Sequence, residues 1–242
     1  MPRRPIILLC ARTAFAAVAS LGVWPDLQAQ AADLDVPAPT RDGSFQSASE
    51  ADWRDLFGAM TVRTNRIAGI ERWEHMLDRA AIGCAGDCPQ GWDRWTEGMS
   101  RLSGISRYAQ LKIVNWSANA ALVYRSDARA FGVADYWASP AESLRNGGDC
   151  EDFVSMKYLA LRAAGFPEQD LRVVVLQDLE RGQPHAVLVA RLDGVRYVLD
   201  NQIDDLVADT SLQRYRPVYS FNGQGKWVHL AVRPRQELAM AN

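Results

Sequence analysis

The chain has 242 residues, 48% of them apolar and 23% charged, with a formal net charge of −2. Mild acidity gives no reason to expect a nucleic-acid partner, and no stretch after the N-terminus is long and apolar enough to span a bilayer. The length allows one domain with a real core, or a domain plus a helical extension.

The first residues read as a targeting signal. Arg3 and Arg4 form a basic start, and Pro5 to Val23 is apolar apart from Arg12, Thr13 and Ser20. Ala29-Gln30-Ala31 fits a small-x-small cleavage site, so residues 1–31 are expected to be removed on export. The mature chain is then expected to be soluble, without membrane insertion, and periplasmic in a cell with two membranes. Loss of Arg3, Arg4, Arg12 and Asp26 takes the formal charge from −2 to about −4.

Cysteine counting narrows the chemistry. Cys10 leaves with the signal, and Cys84, Cys88 and Cys150 remain. Cys84 and Cys88 bracket a tight turn and could bridge locally. Cys150 is then a free thiol in an oxidising compartment. Two readings of it are open: a reactive group, or a small apolar core residue.

Residues 32–49 read as an irregular arm, with Pro37, Pro39 and Gly43. From about Glu50 to Ala81 the apolar spacing predicts helix, with a break near Gly69. Trp92–Leu102 predicts a short helix and Arg107–Val123 a stronger one, with Tyr108, Leu111, Val114, Ala118 and Leu122 on one face. Arg125–Asn146 reads as an ordered loop with a short helix started by Ser139-Pro140. Within it, Trp137 is either a core residue or a wall of a groove beside Cys150.

Then the period changes. Leu171–Gln177, His185–Arg191 and Val195–Asp200 read as strands, the last two joined through Leu192-Asp193-Gly194. Arg216–Phe221 and Lys226–Leu230 form a further hairpin. A helical first half, a central helix and an antiparallel sheet make an α+β fold. The expectation is one domain over residues 50–234 and a mobile tail over 235–242.

Between the two halves lies Gly147-Gly148-Asp149-Cys150-Glu151-Asp152. Asp149 can cap a helix, and Asp152 three residues later completes a capping-box-like pair. The run Phe153–Ala164 is apolar round most of its circumference, so this helix is buried. Gly165 ends it and Pro167 keeps it from restarting. Cys150 therefore sits in the first turn, where unpaired N–H groups and the dipole favour a thiolate.

The hairpin register adds two partners. With Asp193-Gly194 as the turn, Val187 faces Asp200, and His185 shares a face with Val187. Asp200 is then the diagonal neighbour of His185, with backbones roughly 7–8 Å apart. Cys150, His185 and Asp200 make a nucleophile, a base and an orienting acid. His75 and His229 have no comparable partner and read as structural.

Three carboxylates flank the thiol: Asp149, Glu151 and Asp152. Helix capping accounts for Asp149 and Asp152 but not for the density. Three anions oppose thiolate formation, and a bound cation would remove the conflict. Clustered carboxylates suit Ca²⁺ in an exported protein. Zinc lacks a usable Cys/His quartet once Cys150 is committed.

Four segments resemble a known family: Val133-Ala134-Asp135-Tyr136-Trp137-Ala138-Ser139-Pro140-Ala141-Glu142, Gly148-Asp149-Cys150-Glu151-Asp152-Phe153, His185-Ala186-Val187-Leu188 and Val198-Leu199-Asp200-Asn201. Their order is similar to that of the bacterial transglutaminase-like cysteine peptidases, in particular the LapG-type periplasmic proteases. The resemblance runs from about Arg107 to Trp227. It implies a papain/transglutaminase-like fold, with the catalytic Cys, His and Asp on Cys150, His185 and Asp200. It also implies Ca²⁺ on the acids around the cysteine, which are Asp149, Glu151 and Asp152 here. The implied substrate is a large surface adhesin whose release disperses biofilm. The implied regulator is the periplasmic side of an inner-membrane cyclic-di-GMP receptor. Two other functions fit the same residues: an acyltransferase or cell-wall amidase with this triad, and a catalytically silent, calcium-stabilised binding module.

Overall fold

The computed structural model describes residues 53–84 and 86–231. The expected signal peptide (1–31), arm (32–49) and tail (235–242) lie outside the described residues.

Among the described residues seven strands form one sheet: β1 (Met60–Thr64), β2 (Leu171–Asp178), β3 (Gln183–Leu192), β4 (Val195–Asp200), β5 (Ile203–Ala208), β6 (Tyr215–Asn222) and β7 (Gly225–Leu230). Their order is β1-β7-β6-β2-β3-β4-β5, and every pairing is antiparallel. The helices are α1 (Ile70–Ile82), α2 (Trp92–Ser100), α3 (Arg107–Ala121), α4 (Asp127–Ala130), α5 (Pro140–Asn146) and α6 (Cys150–Ala163). This is the expected α+β architecture, with the cysteine helix packed on an antiparallel sheet.

Two expectations are corrected. The helix foreseen over Glu50–Ala81 begins only at Ile70; Leu56–Gly58 is a 3-10 turn and Met60–Thr64 is the edge strand β1. Apolar residues at Trp53, Phe57 and Met60 imitate helical spacing. In the fold Trp53 and Leu56 cover the sheet's second face, whereas Met60 is exposed. Pairing with β7 overrides the local period, and Thr61, Val62 and Thr64 suit a strand. Strand β5 was not foreseen. Its adjacent acids Asp204 and Asp205 break the alternation, and an edge strand tolerates them.

The β3–β4 hairpin keeps its expected register, with Leu192 opposite Val195, Ala190 opposite Tyr197 and Leu188 opposite Leu199. Asp193 and Gly194 both have positive φ, 51° and 78°, as a type I′ turn requires. The larger core lies between helices and sheet and includes Leu111, Val114, Val154, Met156, Leu161, Val173 and Leu188. Trp73 is its aromatic hub, edge-on to Trp137 (5.7 Å), Tyr158 (4.9 Å) and Phe221 (5.3 Å). Trp137 is therefore a core residue. Cys84 and Cys88 are joined in a disulfide, and Cys150 is free.

Candidate active site

Local sequence builds the thiol's position. Gly147 has φ +80°, and a Cβ there would lie 2.6 Å from the Val123 carbonyl oxygen. A Cβ on Gly148 would run into the Asp152 carboxylate. Close approach thus demands both glycines. Asp149 and Asp152 form the foreseen capping box, with Asp149 N–H donating to Asp152 Oδ2 at 3.0 Å. Ala138 N–H donates to Asp152 Oδ1 at 2.6 Å, so this one carboxylate ties the Trp137 segment to the helix start. At the other end, Phe166 N–H closes on Leu161 O at 2.9 Å around Gly165, a Schellman-type stop.

Cys150 is the first residue of α6 and is half-buried. Its Sγ donates to Glu151 Oε2 at 3.2 Å. Burial pushes the thiol well above its ordinary pKa, and the Glu151 and Asp149 carboxylates push it further. The Ala186 N–H on the sulfur opposes the rise.

On the neighbouring strands, His185 Nε2 lies 2.9 Å from Asp200 Oδ1, and both groups are buried. Gln202 N–H donates to the same oxygen at 3.0 Å, and Tyr215 OH donates to Oδ2. Burial alone would raise the Asp200 pKa. The bonds from His185, Tyr215 and Gln202 outweigh it and hold the carboxyl below its ordinary value. Asp200 is thus an acceptor, Nε2 carries the proton, and Nδ1 is the ring nitrogen left for proton transfer. Ala186, the next residue after His185, is the one whose N–H meets the Cys150 sulfur. That places the His185 end of β3 against the start of α6. The thiol and the imidazole do not share a hydrogen bond among the described residues; the thiol is turned to Glu151.

The acidic cluster is larger than foreseen. Besides Asp149, Glu151 and Asp152, it includes Asp127 of α4 and Asp135 from the loop before α5. Carboxylate oxygens of Asp127, Asp149 and Asp152 lie within 4.8 Å of one another, as do those of Asp127, Asp135 and Glu151. Asp127 Oδ1, Asp135 Oδ1 and Asp149 Oδ1 are buried without a hydrogen-bond partner. Burial and the Asp149 charge push Asp127 up to about 7. Burial likewise raises Asp135, although Arg72 at 3.0 Å counteracts it. Burial and neighbouring anions raise Glu151 and Asp152 well above the carboxylate range. Orphaned, converging carboxylate oxygens fit a hard divalent cation. Asp127 and Asp135 were missed because they stand 23 and 15 residues before Cys150 in sequence. The hydrogen bond from Tyr136 N–H to Asp127 Oδ2, 2.6 Å, closes that loop on itself, and the Ala138–Asp152 bond ties it to the site.

Tyr215 and Arg214 were also missed, since β6 carries no local motif. Arg214 Nη2 donates to Tyr215 OH at 2.7 Å and lies 4.0 Å from Asp200. The other two histidines lie outside the triad. His75 is exposed on α1, and buried His229, brought down to about 3 mainly by burial, bonds Thr61 and Ser220. An apolar groove of about 510 Å³ between α1, α2 and α6 is lined by Leu77, Trp92, Trp95, Met99 and Met156, and by none of the residues above.

A free thiol at the start of a buried helix, beside a strand that carries a histidine bonded to a carboxylate, defines a cysteine peptidase of the transglutaminase-like class. The family model of the bacterial transglutaminase-like cysteine proteinases (BTLCP) matches residues 93–234, and the chain belongs to that family. LapG of Legionella pneumophila is similar in structure. Its calcium-bound form shares 31% identity at a TM-score of 0.53, over 64% of this chain and 86% of that one. A second LapG structure gives the same values, and an EGTA-treated form is matched over 84% of its length. None of the curated proteins compared matches this chain.

Proposed function

We propose that the chain is an exported, calcium-dependent cysteine endopeptidase whose catalytic residues are Cys150, His185 and Asp200. The observation that carries this reading is the buried His185–Asp200 pair at 2.9 Å on the strand whose next amide meets the Cys150 sulfur.

In this scheme the Cys150 proton passes to His185 Nδ1, and the thiolate attacks the scissile carbonyl carbon. The tetrahedral adduct collapses to a thioester as the C–N bond breaks, and the imidazolium gives its proton to the leaving amine. His185 then takes a proton from water, whose oxygen attacks the thioester and releases the acid and the thiol. Asp200 holds the ring's orientation and balances its charge throughout.

Asp127, Asp135, Asp149, Glu151 and Asp152 are the residues that would hold the Ca²⁺. A bound cation supplies charge neutralisation, relieving the anionic field that keeps Cys150 protonated. The similarity to LapG structures in calcium-bound and EGTA-treated forms supports this choice of metal. A surface adhesin as substrate and a cyclic-di-GMP receptor as regulator extend the same reading. Among the described residues no helix is long and apolar enough to cross a membrane.

The test uses iodoacetamide at pH 6–7, below the ordinary thiol pKa of about 8.5, with labelled cysteines mapped by mass spectrometry. Fast labelling of Cys150 in calcium, slowed by EGTA and by His185→Ala, is expected. Slow labelling under all conditions would favour the silent binding module. With adhesin fragments, product masses then show whether water or an amine accepts the acyl group.

A further inference from the structure

Arg214 stands just before β6, and only 20% of its side chain is exposed. Its one contact with a solvent-facing acid explains little. Glu180 Oε2 lies 3.5 Å from Nη1, but that carboxylate is 68% exposed, and pairs with so exposed a partner contribute little. Nε is buried without a hydrogen-bond partner, which counts against a guanidinium at this place.

Its other terminal nitrogen faces the acid of the triad. Nη2 donates to Tyr215 OH at 2.7 Å and to Gln202 Oε1 at 3.3 Å, and it lies 4.0 Å from Asp200 Oδ2. The guanidinium also covers the Tyr215 ring, with Cζ 4.7 Å from its centroid. Those two partners are the residues that close Asp200: Tyr215 OH donates to Oδ2, and Gln202 N–H donates to Oδ1 at 3.0 Å. One nitrogen of Arg214 therefore touches both.

Counting protons gives the consequence. A guanidinium only donates, so the phenol oxygen accepts from Arg214, and its single hydrogen is left for Asp200. Asp200 then meets donors at both oxygens, which favours the carboxylate and a His185 ring protonated at Nε2. In the competing arrangement Asp200 holds the proton, Nε2 accepts it, and Nδ1 carries the ring's hydrogen and cannot take one from Cys150. Without Arg214 the phenol is free to turn its hydrogen away and accept, and the competing arrangement gains. The other charges felt here are Asp178 at the end of β2, on Arg214, and Lys157 of α6, on Asp200. Asp178 Oδ2 and Lys157 Nζ carry no hydrogen bond, so neither directs the phenol.

We propose that Arg214 is a positioning residue that, through the Tyr215 hydroxyl, keeps Asp200 a hydrogen-bond acceptor and the His185 proton on Nε2. This rests on the triad assigned above. Arg214 touches no reacting atom; it acts through Tyr215.

The experiment compares the full mature chain, in calcium, with Arg214→Met, Arg214→Lys, Tyr215→Phe, the double variant Arg214→Met/Tyr215→Phe, and His185→Ala. It reads the iodoacetamide rate at Cys150 across pH and the melting temperature of each protein. Arg214→Met is expected to lower the rate at least about tenfold, the equivalent of one pKa unit, and to move the acid limb of the profile towards neutrality. Arg214→Lys keeps a donor and the charge and should recover most of the rate. Adding Arg214→Met to Tyr215→Phe should bring no further loss, because the arginine works through that hydroxyl. A merely structural arginine would lower rate and melting temperature together, leave the limb in place, and add its loss to that of Tyr215→Phe. An unmoved limb in Arg214→Met, additive losses in the double variant, or failure of both Arg214 variants to fold would each overturn the proposal. If wild-type Cys150 itself labels slowly and His185→Ala changes nothing, the triad falls, and this inference with it. If His185→Ala abolishes fast labelling while the Arg214 variants behave as wild type, the triad stands and Arg214 has no part in it.

Discussion

The His185 imidazole and the Asp200 carboxylate meet at 2.9 Å across a hairpin, and both are almost wholly buried. The strands place them on one face at diagonal positions, and the turn's two positive-φ residues keep that register. A one-residue slip would send one of them to the other face. Tyr215, from a strand far along the chain, closes the carboxylate's second oxygen.

Tyr215→Phe removes that closing bond while keeping the ring. Hydrogen bonds to charged groups are worth about 1.5–3 kcal/mol, so the Asp200 pKa should rise. In the wild type the carboxyl is held below its ordinary value, so its contribution to stability is present above pH 3.8 and lost as pH falls through the folded value. The variant should lose stability and alkylation rate at a higher pH on the acid side. Coincident acid limbs for the two proteins would show that the phenol contributes nothing to Asp200.

The acidic cluster predicts an unusual pH dependence without metal. Asp127 has a folded pKa of about 7 against 3.8 when unperturbed. Its contribution is favourable below pH 3.8 and is lost as pH rises towards about 7. In EGTA the protein should therefore melt at a lower temperature at pH 8 than at pH 5. Calcium should raise the melting temperature strongly at pH 8 and weakly at pH 5. Calorimetry with and without calcium checks both halves, and a calcium effect independent of pH would count against the site.

Asp127→Asn separates the ligand from the liability. It removes one of the converging anions, so the variant should be more stable than the wild type in EGTA. In calcium the order should reverse, with affinity reduced at least about tenfold by loss of a charged ligand. Titration calorimetry gives the affinity directly. Equal affinities would exclude Asp127 from the site.

The Cys84–Cys88 disulfide closes a very short loop. The chain-entropy relation gives about 2 kcal/mol for a loop of that size. At about 2–4 °C per kcal/mol, replacing both cysteines by serine should lower the melting temperature by about 4–8 °C. The Cys150 alkylation rate should be unchanged, because neither cysteine lines the site. A parallel fall in that rate would tie the loop to the thiol.

Much of the site was legible because its determinants are local. Two glycines, a capping box and an apolar run define where α6 begins, and they place Cys150 at that point. A two-residue turn with positive φ specifies the β3–β4 register, and with it the meeting of His185 and Asp200. The change from helical to alternating period marks the α+β order. Local signals misled at Glu50–Ala81, where spacing alone could not reveal that Met60–Thr64 would find β7 as a partner. Tertiary packing decided the rest. Asp127 and Asp135 join the acids beside Cys150 only when the loop before α5 folds back onto the helix start. Tyr215 reaches Asp200 only through the sheet's strand order. Sequence encodes what neighbouring residues impose on one another through backbone geometry, whereas burial and charge proximity between distant segments exist only after those segments have packed.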